Sequence, residues 1–291
     1  MLDLLCIGEA MAELRQGPEQ SGFVVGFAGD TYNTAVYAKR CLGTAGTVGF
    51  MSRLGCDPLS DGMLAAAQAE GLETGAIARD EQRNIGIYSV STDASGERSF
   101  HYWRSQSAAR ELDAAELAPA RILYLSGITL AILSPERRRA LIEALDGLEG
   151  SCEIAFDSNY RPRLWESQAA AQATVERMWD LADLAFPSID DEMALFGDAS
   201  EAAVVKRFER GKFASCTIKR GDRGPLSLTH TGSLPNFPKA AKVVDTTAAG
   251  DSFNGGFLAS RVQGKSEAEC LLAGHELAVT VVGQPGAIMP I

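Results

Sequence analysis

The sequence predicts an α/β fold built on a mostly parallel sheet. Short runs of β-branched and aliphatic residues alternate with longer helical stretches, the rhythm of βα units. A chain of 291 residues with 46% hydrophobic and 22% charged residues has enough apolar surface for a sizeable core. No repeat, low-complexity tract or charge block marks a linker, and length alone leaves open two domains or one large domain with an elaboration.

The first buried strand is residues 4–8, an apolar run that closes on Gly8. Residues 34–42 read as a helix, 45–51 as a strand, and 60–70 as a helix stopped by Gly71. Later strands fall at 122–126, 153–157, 184–187 and 215–219, with helices at 135–145, 168–182 and 202–210 between them. Two stretches break the rhythm. Residues 13–27 are irregular, and 85–104 read as an antiparallel hairpin, GIYSV and SFHYWR around the turn STDASGER, so both are assigned outside the main sheet. Period-two alternation puts Phe100, Tyr102 and Arg104 on one face of the hairpin and His101 and Trp103 on the other. The first face suits a cover over a polar ligand, and equally an ordinary half-buried hairpin.

The balance of charge excludes some functions. Lys and Arg number 27 against 38 Asp and Glu, a net charge of −11, which argues against nucleic acid or an anionic membrane as partner. Any anionic ligand then needs local arginines. The start, MLDLLCIGEA, has neither a basic leader nor a cleavage site, and the longest apolar stretch, near 123–133, is too short to span a bilayer. Six scattered cysteines without a CxxC pair suggest neither a zinc site nor a disulfide framework. A cytoplasmic protein is expected.

The chemistry concentrates in residues 243–259, VVDTTAAGDSFNGGFLA. Small residues Ala248, Ala249 and Gly250 open a helix there, and the unpaired first N–H groups of a helix, at the positive end of its dipole, can hold an anion that large side chains would block. This is a phosphate cradle without a lysine. Asp251 follows it, placed to take the proton of an attacking hydroxyl during phosphoryl transfer; a helix-capping aspartate is the plainer alternative. There is no GxxxxGK[ST] loop and no protein-kinase HRD or DFG arrangement, and Gly43, Gly46 and Gly49 have the wrong spacing for a dinucleotide fingerprint.

DTTAAGDSF resembles the C-terminal signature of the ribokinase-like (PfkB) carbohydrate kinases, and AGDTYNTAVYAKRCLG, residues 28–43, resembles their N-terminal one. YLSGITLAILSPERR, DSNYRPRLW, IKRGDRGPL and FHYWR together resemble the 2-keto-3-deoxygluconate kinase branch of that family, nearly end to end. Ala248 stands where most members carry glycine, a departure that this branch shares.

The resemblance implies a ribokinase-like three-layer sandwich, a single kinase domain over residues 1–291 with a small β-sheet lid from about 13–27 and 85–104. It implies ATP-dependent phosphorylation of a sugar acid at its terminal hydroxyl. Gly29, Asp30 and Asn33 match the sugar-hydroxyl contacts; Tyr88, Tyr102 and Arg104 match lid positions on the keto acid. Arg161, just past a buried strand, suits a carboxylate through paired N–H donors; a loop ion pair or a nucleotide contact is its alternative. Asn159, Lys219, Gly221, Asp222 and Gly224 match the nucleotide side, and Glu192 a glutamate tied to magnesium through water. Ile189 stands where that motif has asparagine, with Asp190 or Asp191 as substitutes, and Gln284, Pro285 and Gly286 receive no role. Implied cofactors are ATP and Mg2+, with a monovalent cation as a further one; the implied partners are the sugar acid, ATP and a second copy through the lid. A kinase of the same fold for the galactonate epimer, fructose or ribose is the alternative, and a non-catalytic sugar sensor another.

Overall fold

The computed structural model describes residues 1–17, 22–92 and 98–290. In chain order the elements are β1 (Leu2–Ile7), β2 (Met11–Gln16), β3 (Phe23–Ala28), α1 (Asp30–Leu42), β4 (Val48–Gly55), α2 (Pro58–Ala69), β5 (Ile77–Asp80), β6 (Gly86–Thr92) and β7 (Arg98–Trp103). There follow β8 (Ala120–Ser126), α3 (Gly127–Ile132), α4 (Pro135–Asp146), β9 (Glu153–Asp157), α5 (Gln168–Leu181), β10 (Leu184–Ala185) and α6 (Ile189–Phe196). The chain ends with α7 (Glu201–Phe208), β11 (Ser215–Ile218), β12 (Leu226–Ser227), α8 (Ala249–Val262) and α9 (Glu267–Val282).

The main sheet runs β12-β11-β10-β9-β8-β1-β4-β5, parallel except for β12. Parallel strands are buried on both faces, and β1 shows how the pleat divides them. Leu4 and Cys6 face α1, α8 and α9, where Tyr32, Val36, Phe253, Phe257 and Leu271 pack. Leu5 and Ile7 face the opposite layer, with Leu130 of α3, Leu141 of α4 and Val175 and Met178 of α5. This is the expected three-layer arrangement.

The two irregular stretches form a second sheet, β3-β2-β6-β7, as the sequence led us to expect. β2 leaves the main sheet after β1, and β6 after β5; they pair in parallel, Glu13 opposite Tyr88. Tyr88 faces Tyr102 across β6 and β7, and Val90 faces Phe100. The central part of the turn STDASGER, residues 93–97, and residues 18–21 of the first stretch lie outside the described residues.

Several boundaries differ from expectation. The helix expected at 34–42 starts at Asp30, because Gly29 is its N-cap and Asn33 N–H already donates to Gly29 O at 2.7 Å. The strand expected at 45–51 is Val48–Gly55: Ala45 N–H closes a turn onto Leu42 O, and Ser52 to Gly55 find partners in β5.

Candidate active site

The strand order reverses between β1 and β8. Ligands of open α/β sheets bind outside the carboxyl ends of strands at such a point, and a cavity of about 930 Å³ opens there. Glu9 follows β1, Asp157 ends β9 and Lys219 follows β11, so three strand ends supply charged side chains to one wall.

Helix starts give the site its sign. α2, α3, α4, α5, α7 and α9 are each capped by an Asp or Ser side chain, whereas α1, α6 and α8 have no side-chain cap. All three turn their first residues to the cavity, Asp30 of α1, Asp190 and Asp191 of α6, and Ala249 to Asp251 of α8; α3, which is capped, also reaches it through Ile128. Uncapped helix starts present unpaired N–H groups and the positive end of the dipole, which favours anions.

At α1, a Cβ on Gly29 would stand 2.1 Å from Glu9 O, so the backbones approach as only glycine permits. Asp30 Oδ2 accepts from Asn159 Nδ2 at 2.8 Å and from Ser126 Oγ, and burial pushes its carboxyl upward. Asn159, expected on the nucleotide side, is thereby tied to Asp30, expected on the sugar hydroxyls. Asn33 is held at both ends of its amide: Oδ1 accepts from Gly29 N–H at 3.3 Å, and Nδ2 donates to Asp251 Oδ2 at 2.8 Å.

At α8, Ala248 takes a left-handed conformation, φ 60°, to turn the chain into the helix; glycine adopts this more cheaply, which fits the family's usual residue there. Asp251 sits in the first turn. Burial, then the carboxylates of Asp30 and Asp157, push its pKa up to about 7, against the opposing pull of the Asn33 hydrogen bond and Lys219. That is where a general base for neutral pH belongs.

The cradle has a lysine after all. Lys219 arrives from the end of β11, more than thirty residues earlier in sequence, and its Nζ lies 3.5 Å from where a Cβ on Gly250 would stand while pairing with Asp157. Beside it Gly221 and Gly224 take positive φ, 59° and 76°, and with exposed Asp222, which pairs with Lys239, they form the cavity rim.

The arginines are both on the wall. Arg104 is half-buried, paired with Glu9, and stands over the Tyr102 ring at 5.9 Å. Arg161 is half exposed and meets Asp191 at 3.2 Å, the loop ion pair that was its plainer reading, while still lining the cavity. From the lid, Tyr88 and Tyr102 stack at 5.7 Å, and Tyr88 OH donates to Glu13 Oε1 at 2.7 Å. Phe100, Tyr102 and Arg104 all face inward, as the alternation required.

Glu192 stands apart from the cavity wall. It points into the protein rather than the cavity, fully buried, with Oε2 accepting from Arg207 Nη1 at 2.8 Å; burial raises its pKa to about 7. One helical turn geometry explains this: Asp190 and Asp191 face the cavity at the start of α6, and Glu192 turns behind them. Sequence reasoning assigned no role to Glu9 or Asp157. Both stand at the carboxyl ends of buried strands, a signal that was available.

Comparison with known proteins agrees with this geometry. Residues 1–291 match the pfkB family carbohydrate kinases. The 2-dehydro-3-deoxygluconokinase of Escherichia coli K12 is 41% identical over 299 residues, 98% of this chain and 96% of that protein. In structure, a double mutant of fructokinase from Vibrio cholerae O395, bound to fructose, ADP and potassium ion, superposes with a TM-score of 0.86 at 22% identity, covering 99% of this chain and 94% of that one. The 2-dehydro-3-deoxygluconokinase of Thermotoga maritima gives 0.80 at 22% identity, covering 100% and 97%. With a lidded cavity at the switch point, a tuned aspartate at an uncapped helix start and a family match along its whole length, the chain belongs to the pfkB family of carbohydrate kinases.

Proposed function

We propose that the chain phosphorylates 2-keto-3-deoxy-D-gluconate, also called 2-dehydro-3-deoxygluconate, with ATP to give 2-keto-3-deoxy-6-phosphogluconate. Asp251 at the open start of α8 carries this reading. The acceptor hydroxyl oxygen bonds to the γ-phosphorus and gives its proton to Asp251, while the bond to the β,γ-bridging oxygen breaks and that oxygen leaves on ADP with the electron pair. N–H groups around Ala248, Ala249 and Gly250 steady the phosphoryl charge, and lid closure excludes water.

At the far end of the substrate, Arg161 binds the carboxylate through paired donors, supported by Arg104, whose charge Glu9 already balances. Gly29, Asp30 and Asn33 take the hydroxyls, with Tyr88 and Tyr102 closing over the chain. Lys219, Gly221, Asp222, Gly224 and Asn159 serve the nucleotide. Magnesium would neutralise phosphate charge when it accompanies ATP, and Asp190 on the cavity wall is an oxygen donor of the kind it takes. Potassium, present in the Vibrio structure, is the candidate monovalent cation.

Residues 1–291 would act as one kinase unit. All six cysteines are free, which fits a reducing cytoplasmic setting, and no helix among the described residues is long and apolar enough to cross a membrane. Phe23, Val24, Val25 and Trp103 are exposed on the lid and fit a second copy as partner. Twice the 30.9 kDa chain mass by light scattering, reduced to one by Trp103→Ser, is the expected result; a monomer in both contradicts it.

The test of substrate class is ADP release with ATP and magnesium against 2-keto-3-deoxygluconate, its galactonate epimer, gluconate, fructose and ribose. The keto-deoxy acids should be preferred. Arg161→Lys should raise KM for them about tenfold or more while leaving any turnover of a neutral sugar unchanged. Preference for fructose or ribose, or equal loss on acid and neutral sugars, would remove the carboxylate argument.

A further inference from the structure

Lys219 is fixed before its side chain begins. Its N–H donates to Pro187 O at 2.8 Å, and its carbonyl accepts from Ile189 N–H at 3.1 Å, so the Cα is held from both sides. From there the side chain crosses the carboxyl end of β10 to reach Asp157 at the end of β9. Asp157 is itself held. Its Oδ2 accepts from Asn254 Nδ2 at 2.7 Å, its Oδ1 accepts from Asn159 N–H at 3.1 Å, and Asn254 Nδ2 also donates to Tyr124 OH at 2.9 Å. Asp157, Asn254 and Tyr124 are 2%, 0% and 0% exposed.

A buried polar chain of this kind costs free energy unless its geometry is satisfied, and packing alone would be served by apolar residues. Its placement is informative. Asn254 lies three residues after Asp251 on α8, so the helix that carries the base also carries the amide that fixes Asp157. The ammonium thus stands beside Gly250, at the mouth of the anion cradle, with its position set by a carboxylate two strands away on the same wall.

We propose that Lys219 is a catalytic residue that meets the transferring phosphoryl group, and that Asp157 is the positioning residue that sets its ammonium between the anion cradle and the base. The proposal rests on the phosphoryl-transfer reading above. A lysine among several carboxylates pairs with whichever is best presented, and pairing with Asp251 would occupy the base. Asp157, immobilised by Asn254 and Asn159, takes the ammonium instead, and Asp251 keeps its bond with Asn33. As the acceptor oxygen bonds to phosphorus and the bridging oxygen departs with its electron pair, negative charge spreads over the phosphoryl oxygens. A cation already in place favours that state over the ground state without reorganising.

Lys219→Met and Asp157→Asn test the two roles, using turnover, the pH profile of kcat, and calorimetric affinity for ADP alone and for ADP with aluminium fluoride and the acceptor. Lys219→Met should lower kcat about 10²- to 10³-fold, keep the ADP affinity within about threefold, and abolish the extra affinity given by aluminium fluoride. Asp157→Asn should lower kcat about tenfold and move the acid limb of the profile to lower pH. The groups facing Asp251 are Asp30 and Asn33 from α1, Asp157 from β9 and Lys219 after β11, with the phenols of Tyr37 and Tyr124 near; the variant removes one repelling charge and frees Lys219 toward the base.

Loss of ADP affinity equal to the loss of kcat in Lys219→Met would place the lysine on the standing phosphates and overturn its role. An unmoved acid limb in Asp157→Asn would overturn the positioning role, and the lysine variant decides its own half if the aspartate variant does not fold. A wild-type chain that releases no ADP with the keto-deoxy acid overturns the kinase reading and this inference with it. An active wild type beside an unimpaired Lys219→Met overturns this inference alone.

Discussion

Asp251 owes its basicity to its neighbours and its burial, which raise the pKa from 3.8 to about 7. Activity should therefore fall on the acid side of a kcat profile with an apparent pKa near 7, where an exposed aspartate would give a limb near pH 4. Stability carries the opposite sign. Between about pH 4 and 7 the folded chain holds a proton that the unfolded chain releases, so stability falls as pH rises through that window and the cost is complete above it. Asp251→Asn should melt higher than wild type at pH 8, with the gap closing toward pH 4; a lower melting temperature at pH 8 would contradict the tuning. The motif that marked Asp251 is local and was legible. Its partners were not, because Asn33 lies 218 positions away and Lys219 reaches the cradle from another strand. The burial of Glu192 was hidden for a related reason: a motif match gives a residue's position, whereas the turn of α6 decides which way it faces.

At the scale of elements, the uncapped starts of α1, α6 and α8 and the close packing of α8 belong together. A Cβ on Gly255 would lie 2.8 Å from Tyr37 Cβ and 2.9 Å from Thr34 O, so this glycine lets α1 and α8 approach and brings Asn33 to Asp251. In an exposed helix, Gly→Ala stabilises by about 1 kcal/mol. Here Gly255→Ala should destabilise by about 1–3 kcal/mol in urea unfolding and lower kcat, because the neighbours are backbone and a packed ring-bearing side chain. A stabilised variant would sink this account of the interface. The existence and type of the elements could be read from periodicity and turn residues. Their ends could not, since Ser52 and Arg53 look like a strand's exit until β5 pairs with them.

At the scale of the molecule, the reversal of strand order at β1 and β8 creates the crevice, and the lid sheet grows from the same region through β2 and β6. The alternation in 85–104 told which side chains face inward, but no local pattern revealed that β2 and β6 would pair in parallel across some seventy intervening residues. Nor did any reveal that the ends of β1, β9 and β11 and the starts of α1, α6 and α8 would meet at one cavity. On this reading the cavity transfers the γ-phosphoryl group with Asp251 as base. That role is tested most directly by comparing wild type and Asp251→Asn for formation of the phosphorylated keto-deoxy acid from ATP and magnesium, with ADP affinity measured in both. Asp251→Asn should lose about 10²- to 10⁴-fold in kcat with ADP affinity unchanged; near-normal turnover by the variant would remove Asp251 as the base.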